Sequence, residues 1–455
     1  MKRTAILLAC TALTACATPH TPVQDLTAMP ASYDHVADEQ GDAITALWWQ
    51  AFDDPQLDTL VTDALAANQD LAAGVARLRQ SRASVKSSNA SLFPTVNGGA
   101  SASSNSESDF DDISTSGRLS ASYQLDLFGQ NRASRAAARA SHEAQILSQK
   151  SLELTVQSDV AFNYFSILTL RERLDSARSN LEISERIYDI IKLRYDAGDV
   201  SGFDVSSQEA SLANARARIP QLEQQLLSFK TALAVLLGRT PQGYDAPEGD
   251  ILALAPPSID PGLPADLLLR RPDLLSAEAS LRGADSGVAA AQRAFLPSID
   301  LSAGLSAAPL TGGTSVIGSL AASLAAPIFS GGRLEAGLDS AEARADEQVA
   351  RYRQATLSAL RDVELSLNGL TTAEQREEQL EVAYAAAERS LELSEARYRA
   401  GTDNLTSLLN AQSTFFNASD SLAQGRLDRL TAATDLFVAL GGGWAAEQDQ
   451  LAAAE

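Results

Sequence analysis

The chain contains one acidic turn twice, 203 residues apart. The stretches "LRYDAGDVS" (193–201) and "ARYRAGTDN" (396–404) each have Tyr-x-Ala-Gly, followed within two residues by an aspartate. Three further pairs keep a similar offset: "LFPTV" near Pro94 with "FLPSI" near Pro297, "LLG" (236–238) with "ALG" (439–441), and "LFGQNR" with "IFSGGR" (Arg132 and Arg333, offset 201). A period this long and this constant predicts a tandem duplication of one structural unit.

Each unit contains long stretches with the period of a helix. From Ile167 to Tyr195, apolar residues recur every three or four positions, which is the heptad pattern of a coiled coil. Nothing breaks a helix between about residues 130 and 197, a length of roughly 100 Å. The same spacing returns from Leu212 to Leu236, so we expect an antiparallel helical hairpin. The second unit's pattern, which ends at Tyr398, is less regular and predicts looser packing.

Before each helical hairpin, apolar and polar residues alternate with the period of a β-strand. In the first unit, every second residue from Leu119 to Leu127 is apolar, and these residues alternate with Arg118, Ser120, Ser122, Gln124 and Asp126. In the second unit the alternation covers 298–305 and 318–328, whereas 95–104 is a weaker strand rich in Gly, Ala and Ser. The pattern predicts four strands in two hairpins, with one apolar and one polar face.

Four such strands cannot close a barrel by themselves. If they enter a bilayer, an open sheet edge leaves backbone groups unpaired at a cost of several kcal/mol each, so the chain must assemble. Two copies would give eight strands and a filled barrel, whereas three copies would give twelve strands and a lumen. The alternative is a soluble sheet domain on a coiled-coil stalk, in which outward residues such as Leu320 and Leu324 would need a cover.

The first residues have the pattern of an exported lipoprotein. Lys2 and Arg3 precede a short apolar run that ends in small residues, as in a secretory signal. The Leu-Thr-Ala-Cys that ends at Cys16 resembles the bacterial lipobox, whose cysteine is acylated. The alternatives are an ordinary signal with a chance cysteine, or acylation at Cys10, where the bulky Leu8 fits less well. Cleavage before Cys16 would leave a single cysteine, which excludes an intramolecular disulfide.

These patterns predict the following organisation: a signal peptide (1–15), a lipid-anchored tether (16–40), a first repeat (41–238) and a second repeat (265–444), joined by a linker (239–264) and followed by a frayed tail (445–455). Within the repeats we place β-hairpins at about 93–128 and 295–329, and helical hairpins at about 130–238 and 331–441. The fold class is therefore mainly α, with a membrane β-barrel part that is completed only in an oligomer.

Charge and motif content exclude several classes of function. Acidic residues outnumber basic ones by 58 to 36, so a nucleic-acid partner is not expected. The three histidines, His20, His35 and His142, are far apart and lack neighbours at metal-ligand spacing. The phosphate-loop, dinucleotide, zinc-protease and nucleophile-elbow motifs are absent. We therefore predict no metal, no cofactor and no enzymatic activity.

Four stretches carry a family resemblance: "WWQAFDDPQLDTLVTDALAANQDLAAGVARL", "DLLLRRPDLLSAEASLRGADSGVAAAQRAFLPSIDLSAG", "RYRAGTDNLTSLLNAQ" and "LDRLTAATDLFVALGGGW". In this order they resemble the TolC-type outer-membrane efflux proteins, in particular the NodT-like lipoprotein branch that serves resistance-nodulation-division pumps. The resemblance implies a homotrimer with a 12-stranded β-barrel in the cell outer membrane and an α-helical barrel in the periplasm. It also implies two partners, a periplasmic adaptor protein and an inner-membrane pump.

In this family the turns of the helical hairpins form a periplasmic mouth that opens when the adaptor docks. The resemblance therefore implies that the two acidic turns form the gate. The site residues so identified are, in the first turn, Tyr195, Asp196, Gly198, Asp199 and Asp204, and in the second, Tyr398, Gly401, Asp403, Thr406, Ser407 and Asn410. The two tyrosines end heptad patterns, so packing is favoured over gating for them.

The second turn departs from the family pattern. An acid is common in the family where this chain has Asn410, and many members of the branch have a bulky apolar residue where Thr406 stands. We therefore expect a gate that relies on Asp403 and on hydrogen bonds from Thr406, Ser407 and Asn410. The looser helical pattern before this turn identifies the second hairpin as the moving half.

The function expected on these grounds is the outer-membrane exit channel of a tripartite efflux pump, exporting small molecules. Two alternatives stay open: the duct of a type I protein secretion system, and a non-conducting coiled-coil lipoprotein that acts as a spacer. The sequence does not identify the cargo, because selectivity in such machines lies mostly in the pump.

Overall fold

The computed structural model describes residues 30–34, 47–104, 113–262, 264–310 and 313–442. The predicted signal peptide, Cys16, most of the tether and the C-terminal tail lie outside these residues. In chain order the elements are α1 (Pro55–Ala67), α2 (Gln69–Ala90), β1 (Thr95–Ser104), β2 (Ile113–Leu125), α3 (Gln130–Asp196), α4 (Gly202–Leu236), α5 (Leu267–Arg270), α6 (Pro272–Arg293), β3 (Ser298–Leu310), β4 (Gly313–Ala325), α7 (Arg333–Arg399) and α8 (Leu405–Ala439). These elements confirm the predicted fold class, which is mainly helical with four strands per chain.

The duplication is visible in the bounds of the helices. Helices α3 and α7 both have 67 residues, and α4 and α8 both have 35. Each of these two long helices of the second repeat begins 203 residues after its counterpart (333 − 130 and 405 − 202). At this constant offset, Arg333 corresponds to Gln130. The sequence pattern paired Arg333 with Arg132, at an offset of 201, and that pairing is wrong by two positions.

The described chain divides into two compact units. The strand unit combines Gln80–Ala144 with Ala277–Ala355, and the helical unit combines Pro30–Arg79 with Gln145–Ser276 and the residues from Thr356 onward. Among the helices that the structure describes, none combines the length and the hydropathy needed to cross a membrane.

The strand unit contains one antiparallel sheet in the order β1-β2-β3-β4. Its register places Leu119 opposite Leu305, and Leu305 opposite Gly318, so apolar residues of neighbouring strands share one face. This face is open in the single chain, where Leu320 is 86% exposed and Leu324 is 72% exposed. The sheet therefore presents an uncovered apolar face and two edge strands, β1 and β4.

The core of the helical unit is aromatic. Trp48, in a short 3-10 helix at Trp48–Phe52, stacks on Phe437 of α8 with 5.4 Å between the ring centroids. Its indole Nε1 donates a hydrogen bond to Gln157 of α3 (2.9 Å), which satisfies the buried N–H. The N-terminal part of the described chain is thus attached to both repeats.

The segment between the repeats is also attached to the helices of this unit. Arg171 of α3 donates to the carbonyl oxygens of Ala246 (2.7 Å) and Pro247. Arg426 of α8 donates to the carbonyl of Leu254 (3.3 Å). These hydrogen bonds satisfy backbone oxygens that the irregular segment cannot pair within itself.

Candidate functional site

The first predicted turn follows α3 and has the geometry of a Schellman cap. Gly198 has φ = +84°, in the left-handed region that glycine enters without steric cost. Its N–H donates to Tyr195 O (2.9 Å), and the N–H of Asp199 donates to Arg194 O (2.8 Å). These two bonds satisfy carbonyls at the end of α3 and reverse the chain.

The second predicted turn, after α7, repeats this geometry. Gly401 has φ = +73°, and its N–H donates to Tyr398 O (3.1 Å). The N–H of Thr402 donates to Arg397 O (3.0 Å). A Cβ added at either turn glycine would meet no atom within 4 Å, so glycine is needed at both positions for its backbone conformation alone.

Asp204 caps the helix that follows the first turn. Its Oδ2 accepts hydrogen bonds from the N–H (2.9 Å) and the Oγ (2.8 Å) of Ser201. These bonds favour the ionised carboxylate and hold the pKa of Asp204 below its usual range. Asp196 and Asp199 are exposed, and Asp196 lies 3.5 Å from the ammonium of Lys192. The acids of this turn therefore have different roles within the chain.

Asp403 is a partly enclosed acid in the second turn. Its side chain is only 18% exposed, and its carboxylate lies 3.7 Å from Arg397 Nε. The backbone N–H of Asn404 donates to Asp403 Oδ1 (2.9 Å), and this bond favours the ionised form and lowers the pKa of Asp403. The carboxylate is thus ionised at neutral pH and fixed in position.

Of the remaining predicted residues in the second turn, Ser407 forms hydrogen bonds that stabilise the start of α8. Its N–H (2.9 Å) and Oγ (3.1 Å) both donate to Asn404 Oδ1. Asn404 is the N-cap, a role that the sequence comparison missed, although an asparagine directly before a helical pattern is a standard signal for it. Thr406 and Asn410 are exposed on the first turns of α8.

The two tyrosines that correspond in the repeats have different surroundings. Tyr398 is buried, with 6% exposed, and the guanidinium of Arg194 lies 5.5 Å from its ring centroid. That distance permits a cation–π contact between the two hairpins. Tyr195 is 46% exposed. Tyr398 is therefore packed between the hairpins, whereas nearly half of Tyr195 is open to solvent.

An apolar cluster lies beside the turns, and most of it comes from the second hairpin. Its buried members are Ile187, Ile191, Leu391, Tyr398, Leu405, Leu408 and Ala411, of which five of seven belong to α7 and α8. On the first hairpin, Leu193 is 71% exposed and Phe203 is 78% exposed. At the turns, the second hairpin is therefore packed against α3 of the first, and its looser packing elsewhere stays a prediction.

A buried polar layer adjoins this cluster. Gln412 of α8 donates to Ser184 Oγ (2.7 Å) and to Asn180 Oδ1 (3.0 Å), and Gln208 of α4 donates to Ser184 O (2.9 Å). All three hydrogen bonds end on α3. The sequence comparison missed this layer, although Gln208 lies four residues before Leu212, on the apolar seam, where a polar residue is informative.

Comparison with known proteins agrees with the duplicated architecture. Residues 60–239 and 263–442 each match the outer membrane efflux protein family, again 203 residues apart (263 − 60). The pyoverdine export outer membrane protein OpmQ of Pseudomonas aeruginosa is 36% identical over 469 aligned positions, and the alignment covers 99% of each chain. The toluene efflux pump outer membrane protein TtgF of Pseudomonas putida is 33% identical over 415 residues, covering 87% of this chain and 85% of TtgF.

A solved structure has the same fold. The outer-membrane channel OprN is 29% identical and superposes with a TM-score of 0.83, covering 94% of this chain and 99% of OprN. This chain belongs to the outer membrane efflux protein family.

Proposed function

We propose that the protein is the outer-membrane exit channel of a tripartite efflux pump and that it conducts as a homotrimer. The observation that carries this proposal is the open sheet, with its exposed apolar face and its two unpaired edges. Edge strands in hydrocarbon need partners, and three copies would close a barrel of twelve strands. The apolar face, with Leu320 and Leu324, would then contact lipid, and the polar face would line the lumen.

Conductance in planar bilayers tests this function directly. We expect the purified full-length protein to be trimeric by mass measurement and to form ion-conducting channels. A structural lipoprotein would give no current, and a dimer of eight strands would leave too narrow a lumen for a water-filled path. Either result would contradict the proposal.

We further propose that the protein is anchored by a lipid on Cys16. Metabolic labelling with palmitate should mark the wild-type protein and Cys10→Ala, but not Cys16→Ala. The Cys10 variant is the matched control, because it keeps the Leu-Thr-Ala-Cys lipobox that ends at Cys16 and removes the alternative acceptor. Labelling of Cys16→Ala would show that the lipobox assignment is wrong.

The two turns would form the periplasmic mouth, with six turns around one axis in a trimer. Asp403 carries the main charge in this proposal, because it is held by Asn404 and Arg397 in a fixed position and is ionised. A ring of three carboxylates attracts cations and repels anions. Thr406 and Asn410, exposed on α8, would offer hydrogen-bonding groups beside that ring.

Replacing Asp403 with alanine should therefore reduce the cation preference of the channel. Reversal potentials in a KCl gradient measure this preference, and Asp199→Ala in the other turn is the matched control, because Asp199 is exposed. Because hydrogen bonds lower the pKa of Asp403, the wild-type preference should persist as the pH falls and should be lost only below the usual carboxylate range. An unchanged preference in Asp403→Ala would exclude this residue from the gate.

The partners we propose are a periplasmic adaptor and an inner-membrane resistance-nodulation-division pump. The exposed Leu193 and Phe203 beside the first turn would suit contact with the adaptor. A cysteine introduced at Phe203 should form crosslinks to the adaptor in intact cells, whereas a type I secretion system would supply a different partner. OpmQ and TtgF are named for pyoverdine and toluene, which differ in chemistry, so the cargo of this chain is not assigned from them. That the chain has no catalytic activity stays a prediction.

A further inference from the structure

Two charged side chains, of opposite sign, occur in the described residues of strands β1 to β4. They are Arg118 in β2 and Asp300 in β3. The register pairs Asp300 with Gln124, and Arg118 lies six residues before Gln124 on the same strand. Side chains alternate between faces with a period of two, so both charges lie on the polar face of the sheet.

Arg118 has small, uncharged neighbours on both sides. Its lateral partners are Gly99 in β1 and Ser306 in β3, and the side chain of Arg118 is exposed. Neither neighbour can neutralise a guanidinium or cover its length. Six residues of strand separate the two charges by about 20 Å. That separation is about twice the Debye length at 0.1 M salt, so Asp300 does not neutralise Arg118 either.

We propose that Arg118 forms a cationic ring inside the barrel that favours anionic cargo on its way out. This inference rests on the trimeric channel proposed above, in which the polar face lines the lumen. Three copies would place three guanidinium groups at one level, where Gly99 and Ser306 leave them room to point toward the axis. Guanidinium recognises carboxylates and phosphates in paired hydrogen bonds, so small organic anions are the cargo class that this ring would select.

The ring acts against the charge of the rest of the protein. The chain carries a net charge of −22, which by itself would favour cations throughout the channel. A ring of cations in the strands lowers the electrostatic energy of an anion at that level of the lumen. The acidic surface offers anions no such position. The ring would thus have a measurable effect on ion selectivity even where the mouth prefers cations.

The test measures the ratio of K⁺ to Cl⁻ permeability of the full-length trimer in planar bilayers. At 0.1 M salt, Arg118→Gln should raise this ratio about twofold, because three screened charges are removed from the lumen. Arg118→Lys keeps the charge and should leave the ratio unchanged. Asp300→Asn is the matched control on the same face, and it should lower the ratio instead.

A second readout uses citrate as an anionic probe. Citrate added on both sides should reduce the K⁺ current of the wild type and of Arg118→Lys, and should reduce that of Arg118→Gln much less. If Arg118→Gln does not assemble, Ser306→Asp places a carboxylate beside the intact arginine and should raise the permeability ratio in the same direction. Conducting variants with unchanged ratio and unchanged citrate block would overturn this inference. A wild type without conductance would instead contradict the proposed function.

Discussion

Alanine at position 238 should lower the free energy of unfolding by about 2 to 4 kcal/mol, the largest effect we expect from adding one methyl group. Gly238 ends α4 with φ = +64°, and its added Cβ would lie 2.4 Å from the carbonyl oxygen of Ala67. That oxygen belongs to the backbone at the end of α1 and cannot rotate away. The substitution thus combines a left-handed conformation with an overlap that only a shift of the helices can relieve.

Gly198 provides a matched control in the same chain. It ends α3 with φ = +84° and the same two hydrogen bonds, but its added Cβ meets no atom within 4 Å. Gly198→Ala should therefore cost only about 1 kcal/mol, the cost of the left-handed conformation alone. Urea unfolding of the detergent-solubilised protein, followed by circular dichroism, measures both variants. Equal losses at positions 198 and 238 would show that the close approach of Ala67 has no energetic role.

Removing the carboxylate of Glu377 should destabilise the protein by about 3 to 5 kcal/mol. Glu377 of α7 is buried, with 2% of its side chain exposed, and it lies 2.5 Å from Arg426 and 3.1 Å from Arg429, both of α8. In Glu377→Ala two partly buried guanidinium groups would lose their shared counter-charge. Each arginine would keep only an exposed carboxylate, Glu381 at 3.6 Å from Arg426 and Glu374 at 2.6 Å from Arg429. The cost is therefore that of losing the buried counter-charge, rather than the strength of one ion pair.

The matched control for Glu377 is Glu374, one turn earlier on α7. It contacts the same Arg429 at 2.6 Å, but its side chain is 58% exposed. Water screens this pair, so Glu374→Ala should cost at most about 1 kcal/mol. Thermal unfolding of both variants, measured at the same salt concentration, separates the two cases. If the two substitutions have similar effects, burial does not govern this cluster.

Much of the candidate site was predictable from local sequence. The repeated Tyr-x-Ala-Gly pattern predicted turns at Gly198 and Gly401, and both glycines have the left-handed backbone for which a Schellman cap favours glycine. The same reasoning could have found Asn404, since the N-cap preference depends on one residue and the helix that follows it. The polar layer of Gln208 and Gln412 was harder to predict, because each glutamine is buried only by helices distant in sequence.

The sequence alone determined the duplication, the long helices, the alternation of the strands and the family. These features depend on the spacing of residues along one segment, and spacing is readable without coordinates. Only the tertiary structure decided that Tyr398 is buried while Tyr195 is exposed, that Glu377 lies between two arginines, and that Gly99 and Ser306 flank Arg118. Each of these depends on contacts between segments that are remote in the chain or on a strand register that no local pattern specifies.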